Sequence, residues 1–243
     1  MSRTATRTFD LFEAVVQSAI PLGLMDIAEA TGMDKSTAQR LLGFLVEREL
    51  LTRDTAKRYL LGPASFAMAA SIGSRSDLRT VVAPALRQLR DASGETVSVH
   101  LAVGNRRVCV DGLESTAVIR RVVPLGDSLS LHQGPSGKAI LAYLPEPRID
   151  AVLNEAGVKR LDRKEIRDEL EHIRSQGYLL TVGDRSPGVR AISAAMFDVR
   201  GVTASLTIAG PSERFTEEGA DSLRPLLLAT TADISRSLGG HRP

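Results

Sequence analysis

Residues 33 to 51, "MDKSTAQRLLGFLVERELL", restrict what this chain can fold into more than any other stretch. Ala38, Leu41, Leu42, Leu45 and Val46 recur three or four apart and form one helical face. At about 100° per residue, Ser36, Arg40, Gly43 and Glu47 fall opposite, flanked by Thr37 and Gln39. Asp34 is suited to cap the helix, and Met33 to pack on Ala38 as a hydrophobic staple. Thr31-Gly32 before them marks a tight helix stop. Leu24, Ile27 and Ala28 carry a shorter helix, and Phe9, Phe12, Val15, Val16 and Ala19 mark a first apolar stripe that "IPLGL" interrupts. Two β-prone runs around a polar turn follow, predicting a hairpin over 51–61. Three short helices with a glycine turn before the third, then a hairpin, read as a winged helix-turn-helix over residues 1–62.

The polar end of the third helix then has a purpose. A helix entering the major groove presents its N-terminal residues to base edges and phosphates, while its apolar face holds the other helices. Lys35, Arg40, Lys57 and Arg58 are placed to neutralise phosphates, Ser36 and Thr37 to hydrogen-bond, and Gln39 and Arg40 to pair with adenine or guanine edges. Arg3 and Arg7 are expected on a terminal arm that adds contacts. Bulk charge gives no help. The chain carries a net +2, and residues 1–62 hold eight Lys/Arg against eight Asp/Glu. A basic face must come from segregation, with Glu47 and Glu49 at the far end of the helix. A solvated helix start is the competing reading; the glycine turn before and the basic hairpin after favour DNA.

Hydrophobic content of 43% and charged content of 25% are ordinary for a soluble globular protein. No apolar run reaches the roughly 18 residues of a membrane span, and the first 20 residues lack a signal-peptide pattern, so a cytoplasmic protein is expected. Cys109 is the sole cysteine and sits in the alternating run "RRVCVDG", as a strand core residue would. From Pro63 the chain reads as helix, break, helix, which predicts a linker helix over 63–80. Beyond it, "TVSVHLAV", "RRVCVDGL", "AVIRRVV", "GYLLTV", "RAISAAMFD" and "GVTASLTIAG" read as strands. "SGKAILAYL", "RIDAVLNEAG", "RKEIRDELEHIRSQG" and the stretch from Thr216 to Leu238 read as helices, the last kinked or restarted at Pro225. Strands and helices mix without strict alternation, predicting an α+β domain over 81–243 around an antiparallel or mixed sheet.

Several chemistries are excluded by spacing. "GPSGKA" is no phosphate loop: His132 stands where the first glycine is required, and Ala139 replaces the Ser/Thr that would bind magnesium. Gly137 is expected to let a helix start pack closely, and Lys138 to be solvated. His100, His132, His172 and His241 lack metal-ligand spacing, and Ser193 and Ser205 lack a nucleophile elbow. "RKEIRDELEHIR" reads as a wet amphipathic surface. No catalytic residue, metal or cofactor is expected.

The chain resembles the isocitrate lyase regulator (IclR) family over nearly its whole length. The resemblance is carried by "DIAEATGMDKSTAQRLLGFLVERELL" and "KRYLLGP" in the first domain. In the second it is carried by "GETVSVHLAV", "LHQGPSGKAILAYLP", "IRSQGYLLTVGDRSPGVRAISAAMFD" and "LTIAGPSERF". It implies a winged helix domain, a linker helix and a C-terminal GAF-like effector domain with a curved, mainly antiparallel sheet flanked by helices. It also implies a homodimer, often paired into a tetramer, on double-stranded, pseudo-palindromic operator DNA. A small carboxylate or aromatic acid would alter DNA affinity, and repression is the expected outcome. The alternative is a GAF-like ligand-binding or protein-interaction module without DNA binding.

Matched by motif, the family's effector contacts fall on Pro135, Ser136 and Gly137, on Thr181 and Asp184, on Ala191, and on Thr207 and Ala209. Val118, Arg121 and Leu129 would add walls. Three positions depart from the pattern: Thr181-Val182 replaces an acidic pair, Ala191 a cysteine and Ala209 a hydroxyl. The expected pocket is therefore less polar and roomier, suited to a larger carboxylate, aromatic acids included. Arg121 or backbone N–H groups would meet its charge.

Overall fold

Leu11 and Val15 of one helix, Ile27 and Ala28 of a second, and Ala38, Leu41, Leu42 and Leu45 of a third meet in one small core. In the computed structural model, which describes residues 3–18, 20–75 and 77–243, these helices are α1 (Arg3–Gln17), α2 (Leu24–Ala30) and α3 (Lys35–Glu47). Gly32 turns the chain between α2 and α3 at φ +63°, a left-handed conformation that favours glycine. The hairpin is β1 (Leu51–Arg53) and β2 (Tyr59–Leu61), with Leu51 opposite Leu61. Leu22 exchanges two backbone hydrogen bonds with Tyr59, at 3.0 and 2.7 Å, so the "IPLGL" interruption is a third short rung of the wing.

Two expectations about α1 are corrected. Its inward face is Leu11 and Val15, with Phe12 and Ala14 half-buried; Phe9 is 72% exposed and Val16 48%. Phe9 and Val16 lie on a second apolar stripe, turned outward. Ala19 lies outside the described residues. Arg3 and Arg7 stand on α1 itself and not on an arm.

The chain divides into two compact units, Met1–Ser76 and Asp77–Pro243. Helix α4 (Pro63–Arg75) closes the first and α5 (Asp77–Ser93) opens the second. The expected linker end at residue 80 falls inside α5, because Leu78 and Val82 are buried in the second core. Ser76, within that linker, lies outside the described residues.

The second unit is built on six antiparallel strands: β3 (Thr96–Val103), β4 (Arg106–Leu113), β5 (Ser128–Ser130), β6 (Tyr178–Val182), β7 (Val189–Asp198) and β8 (Gly201–Pro211), in spatial order β5-β4-β3-β8-β7-β6. One face carries Val97, Val99, Ile192, Ala194, Met196, Leu206 and Ile208, which pack on α5 and on α9 (Glu217–Ser237). The opposite face carries small and polar residues: Ser98, His100, Ala191, Ser193, Thr207 and Ala209. Helices α6 (Gly134–Leu141), α7 (Glu146–Glu155) and α8 (Asp162–Gln176) bury Ile140, Ile149, Leu153, Leu170 and Ile173 in a separate apolar layer on that side, where Leu179 of β6 joins them. Alternation along each strand thus sorts an apolar face from a polar one.

Three local expectations fail for identifiable reasons. "AVIRRVV" is not a strand, since β5 takes the edge of β4 instead. Carbonyls of that run are held by side chains: Thr96 donates to Arg121 O and Arg214 to Ile119 O. Helix α9 runs unbroken through Pro225. Lys138 is not solvated: its side chain is 12% exposed and pairs with Glu169 and Asp184. No described helix is long and apolar enough to cross a membrane.

Candidate functional site

Asp34 fixes the start of α3. Its backbone is extended, and its carboxylate accepts from Thr37 N at 2.9 Å and from the Ser36 hydroxyl at 2.6 Å. These hydrogen bonds, Ser36 first, hold its pKa well below the ordinary carboxylate range. The cap leaves Lys35, Gln39 and Arg40 exposed along the first turns, with Thr37 half-buried. This is the polar end that the sequence places against DNA, standing on a helix anchored by Leu41, Leu42 and Leu45.

The wing is organised by a second aspartate. Asp54 accepts from the backbone of Ala56 and Arg58, and its carboxylate pairs with the Arg58 guanidinium at 2.7 Å. The Arg58 backbone bond is the first cause of its lowered pKa. Lys57 sits at the tip in a left-handed conformation, φ 60°, exposed. The two basic wing residues therefore differ: Lys57 is free to meet a phosphate, while Arg58 already shares its charge with Asp54. Arg7 stays half-buried on α1.

The second site is a depression on the polar face of the six-stranded sheet. It is a half-open depression with a cavity volume of about 50 Å³. Eight of the expected effector residues line it: Arg121, Pro135, Ser136, Thr181, Asp184, Ala191, Thr207 and Ala209. Three do not. Val118 is 94% exposed on the loop before β5. Leu129 lies on β5, paired opposite Arg107. Gly137 lies behind the α6 turn, where an added Cβ would meet Leu131 O at 2.5 Å, so glycine is required there for packing.

The lining also holds residues the sequence reading passed over. Ser98, His100 and Arg107 come from β3 and β4, Val123 from the loop before β5, and Arg185, Ser186 and Val189 from the turn into β7. These add charged and hydrogen-bonding groups to walls that Val123, Pro135, Val189, Ala191 and Ala209 keep largely apolar. Its volume is below that of the cavities, on the order of 150 Å³, that take up benzene. The small interior favours a compact acid over the larger or aromatic one expected.

Charge in the lining is uneven. Three guanidiniums, Arg107, Arg121 and Arg185, face one carboxylate, Asp184. Asp184 is taken up by Lys138 at 3.2 Å and Arg185 by Asp127 at 3.0 Å. Burial alone would lower the Lys138 pKa, but Glu169 and Asp184 outweigh it and hold the ammonium above its ordinary value. Arg107 is 2% exposed, and neither Nε nor Nη1 meets an acceptor among the described residues. Burial first, then Arg185, bring its pKa down to about 10, which leaves it charged at neutral pH. His100, also buried, is pushed well below its ordinary pKa by burial and then by Arg107, so it is neutral.

A register shift between Val99 and His100 aims Arg107. Val99 pairs with Asp111 but His100 with Cys109, so Val110 is an extra residue in β4. The bulge reverses the alternation, and Cys109 and Arg107 share the cavity side with His100. Burial raises the Cys109 thiol to about 11, so it is an inert strand residue.

Comparison with known proteins agrees with this division. The model of the family described as "IclR helix-turn-helix domain" matches residues 4–55, and that described as "Bacterial transcriptional regulator IclR C-terminal" matches residues 70–236. The HTH-type transcriptional repressor AllR of Escherichia coli K12 is 32% identical over 222 residues, covering 88% of this chain and 82% of that protein. The transcriptional repressor IclR of the same organism is 25% identical over 250 residues, covering 99% and 91%. The crystal structure of the Thermotoga maritima IclR superimposes with a TM-score of 0.77 at 27% identity, covering 98% of this chain and 100% of that one.

Proposed function

The chain belongs to the IclR family of DNA-binding transcriptional regulators, and from that membership we propose a repressor whose grip on operator DNA is set by a compact carboxylate. The observation that carries the DNA half is the capped start of α3, with Lys35, Gln39 and Arg40 exposed over a buried Leu41-Leu42-Leu45 face. Lys35 and the wing-tip Lys57 meet phosphates, Gln39 and Arg40 meet base edges, and Ser36 and Thr37 hydrogen-bond the backbone. The similar AllR and IclR proteins are named repressors, which favours repression here.

The effector reading rests on the excess of guanidinium over carboxylate in a half-open cavity of about 50 Å³. That volume holds on the order of four water-sized positions, which suits an acid of a few non-hydrogen atoms. Pro135, Ser136, Thr181, Ala191, Thr207 and Ala209 shape the walls, and Arg121 faces the acid from the loop. Differential binding worth about 1–3 kcal/mol would change operator affinity roughly 5- to 150-fold.

A second copy of the chain is the natural partner of the outward stripe of α1. Phe9 and Val16 are exposed there, with Ile20 just beyond the helix at 69%. A two-fold dimer then reads half-sites about one DNA turn apart or a multiple of it. Operator DNA as partner puts the protein in the cytoplasm.

The test is a mobility shift with the purified full chain and the DNA upstream of its own gene, repeated with small acids. A retarded band that compact carboxylates weaken or strengthen supports the reading. Absence of any protected site in genome-wide selection, at low and high salt, would refute it.

A further inference from the structure

Among the described groups facing the cavity, Arg107 alone combines a charge, almost complete burial and two unused donors. Arg185 is paired with Asp127, and Asp184 with Lys138. On the neighbouring strand, His100 Nδ1 is buried and also lacks a partner among the described residues. Nothing about a regular ladder would have put these groups on one side. The extra residue Val110 does so, turning Arg107 away from the apolar face where Val97 and Val99 pack. A buried guanidinium stripped of water, with no ion pair of its own among the described residues and only partly offset by Asp127, destabilises the fold that holds it. Such groups persist where a ligand supplies the missing charge, and their unmet donors mark the place.

We propose that Arg107 is the anchor of the effector's carboxylate, with His100 Nδ1 offering a hydrogen bond to a neighbouring oxygen of the same compact acid. This assigns the deep anion contact to a residue on β4, behind the α6 turn, and leaves Arg121 to close over the acid from the loop. It rests on the reading of this cavity as the effector site. Two consequences separate it from a structural role. An anchor awaiting its partner weakens the empty protein, so its replacement by an apolar side chain of similar length does not lower stability. An anchor also carries the anion response, so that response is lost with it.

The test uses the full-length protein and its Arg107→Met variant, with sodium acetate as probe and sodium chloride at equal ionic strength as control. Acetate is expected to raise the melting temperature of the wild-type protein by preferential binding to the folded state. Arg107→Met is expected to melt at or above the wild-type temperature in chloride and to bind acetate about a hundredfold more weakly. An undiminished acetate response in the variant overturns the proposal, as does a variant that fails to fold in chloride. On the wild-type protein alone, the Arg107 Nε resonance must shift as acetate is added. A resonance that stays fixed while acetate raises the melting temperature overturns it too. If the wild-type protein binds no operator, the regulator reading fails while the acetate result stands. If operator binding responds to acids with Arg107 replaced, the anchor fails and the regulator reading stands.

Discussion

Glu95 and Arg214, 119 residues apart in sequence, meet in a two-pronged ion pair: Nε to Oε1 at 2.7 Å and Nη2 to Oε2 at 2.8 Å. The Glu95 side chain is 3% exposed. Arg214 spends its remaining donors on the Ile119 carbonyl, at 3.1 and 3.2 Å. The pair therefore pins the loop that carries Arg121 over the cavity, and links a fold contact to the proposed effector site.

Glu95→Gln is expected to lower stability by about 2 kcal/mol, because a buried charged bidentate contact is replaced by a neutral one. It should also weaken acid binding, since Ile119 and Arg121 lose their tether. Denaturant titration and calorimetry against a compact acid would check both. An acid affinity equal to wild type would separate the loop from the pair.

Arg40→Ala is expected to lower operator affinity by about 1–3 kcal/mol while leaving the melting temperature and acid binding unchanged. Arg40 is exposed on α3 and has no ion pair among the described residues, so nothing in the fold depends on it. Fluorescence anisotropy with labelled operator gives the answer. Lys57→Ala should instead reduce the slope of log affinity against log salt by about 1.

Asp34→Ala removes the cap of α3 and should lower the melting temperature of the first unit by roughly 3–8 °C at neutral pH. The pH dependence has a definite sign. The folded pKa of Asp34 is depressed, chiefly by Ser36. Its contribution is therefore present above the unfolded carboxylate value and lost as pH falls through the folded one. The melting curves of variant and wild type should converge only in strong acid. Convergence already at mildly acidic pH would contradict the hydrogen-bonded cap.

Lys138→Met leaves the Glu169 and Asp184 carboxylates without their shared cation and is expected to cost about 1–2 kcal/mol. The cost is held down because those side chains are 28% and 26% exposed. Here the folded pKa is raised. The stabilisation is complete below the unfolded lysine value of about 10.4 and is lost as pH rises through the folded value. Thermal melts across the alkaline range should therefore show the wild-type advantage shrinking only at the top of that range.

Local signals made the first unit readable. Asp34, the Gly32 turn and the Ala38-Leu41-Leu42-Leu45 spacing each act within a few residues, and each is found as expected. α1 was misjudged because Phe9 and Leu11 are both apolar, and only tertiary packing decides which stripe turns inward. In the second unit, motif matching located Pro135, Ser136, Thr181, Ala191, Thr207 and Ala209 at the cavity. It missed Arg107, whose orientation depends on a register shift between two strands and not on its own neighbours. The available signal was a pair of arginines, Arg106 and Arg107, entering an otherwise alternating strand. "AVIRRVV" has the composition of a strand but pairs with no strand of the six-stranded sheet, and composition does not report pairing.

The extra residue in β4 has a consequence for how such a protein changes over time. Deleting Val110 would restore a regular ladder and leave the cavity face as it is, because Cys109 would still oppose His100 and Arg107 would still oppose Ala102. Flattening the bulge at unchanged chain length would instead slide the residues from Cys109 to Arg106 by one position and turn Arg107 toward the helices α5 and α9.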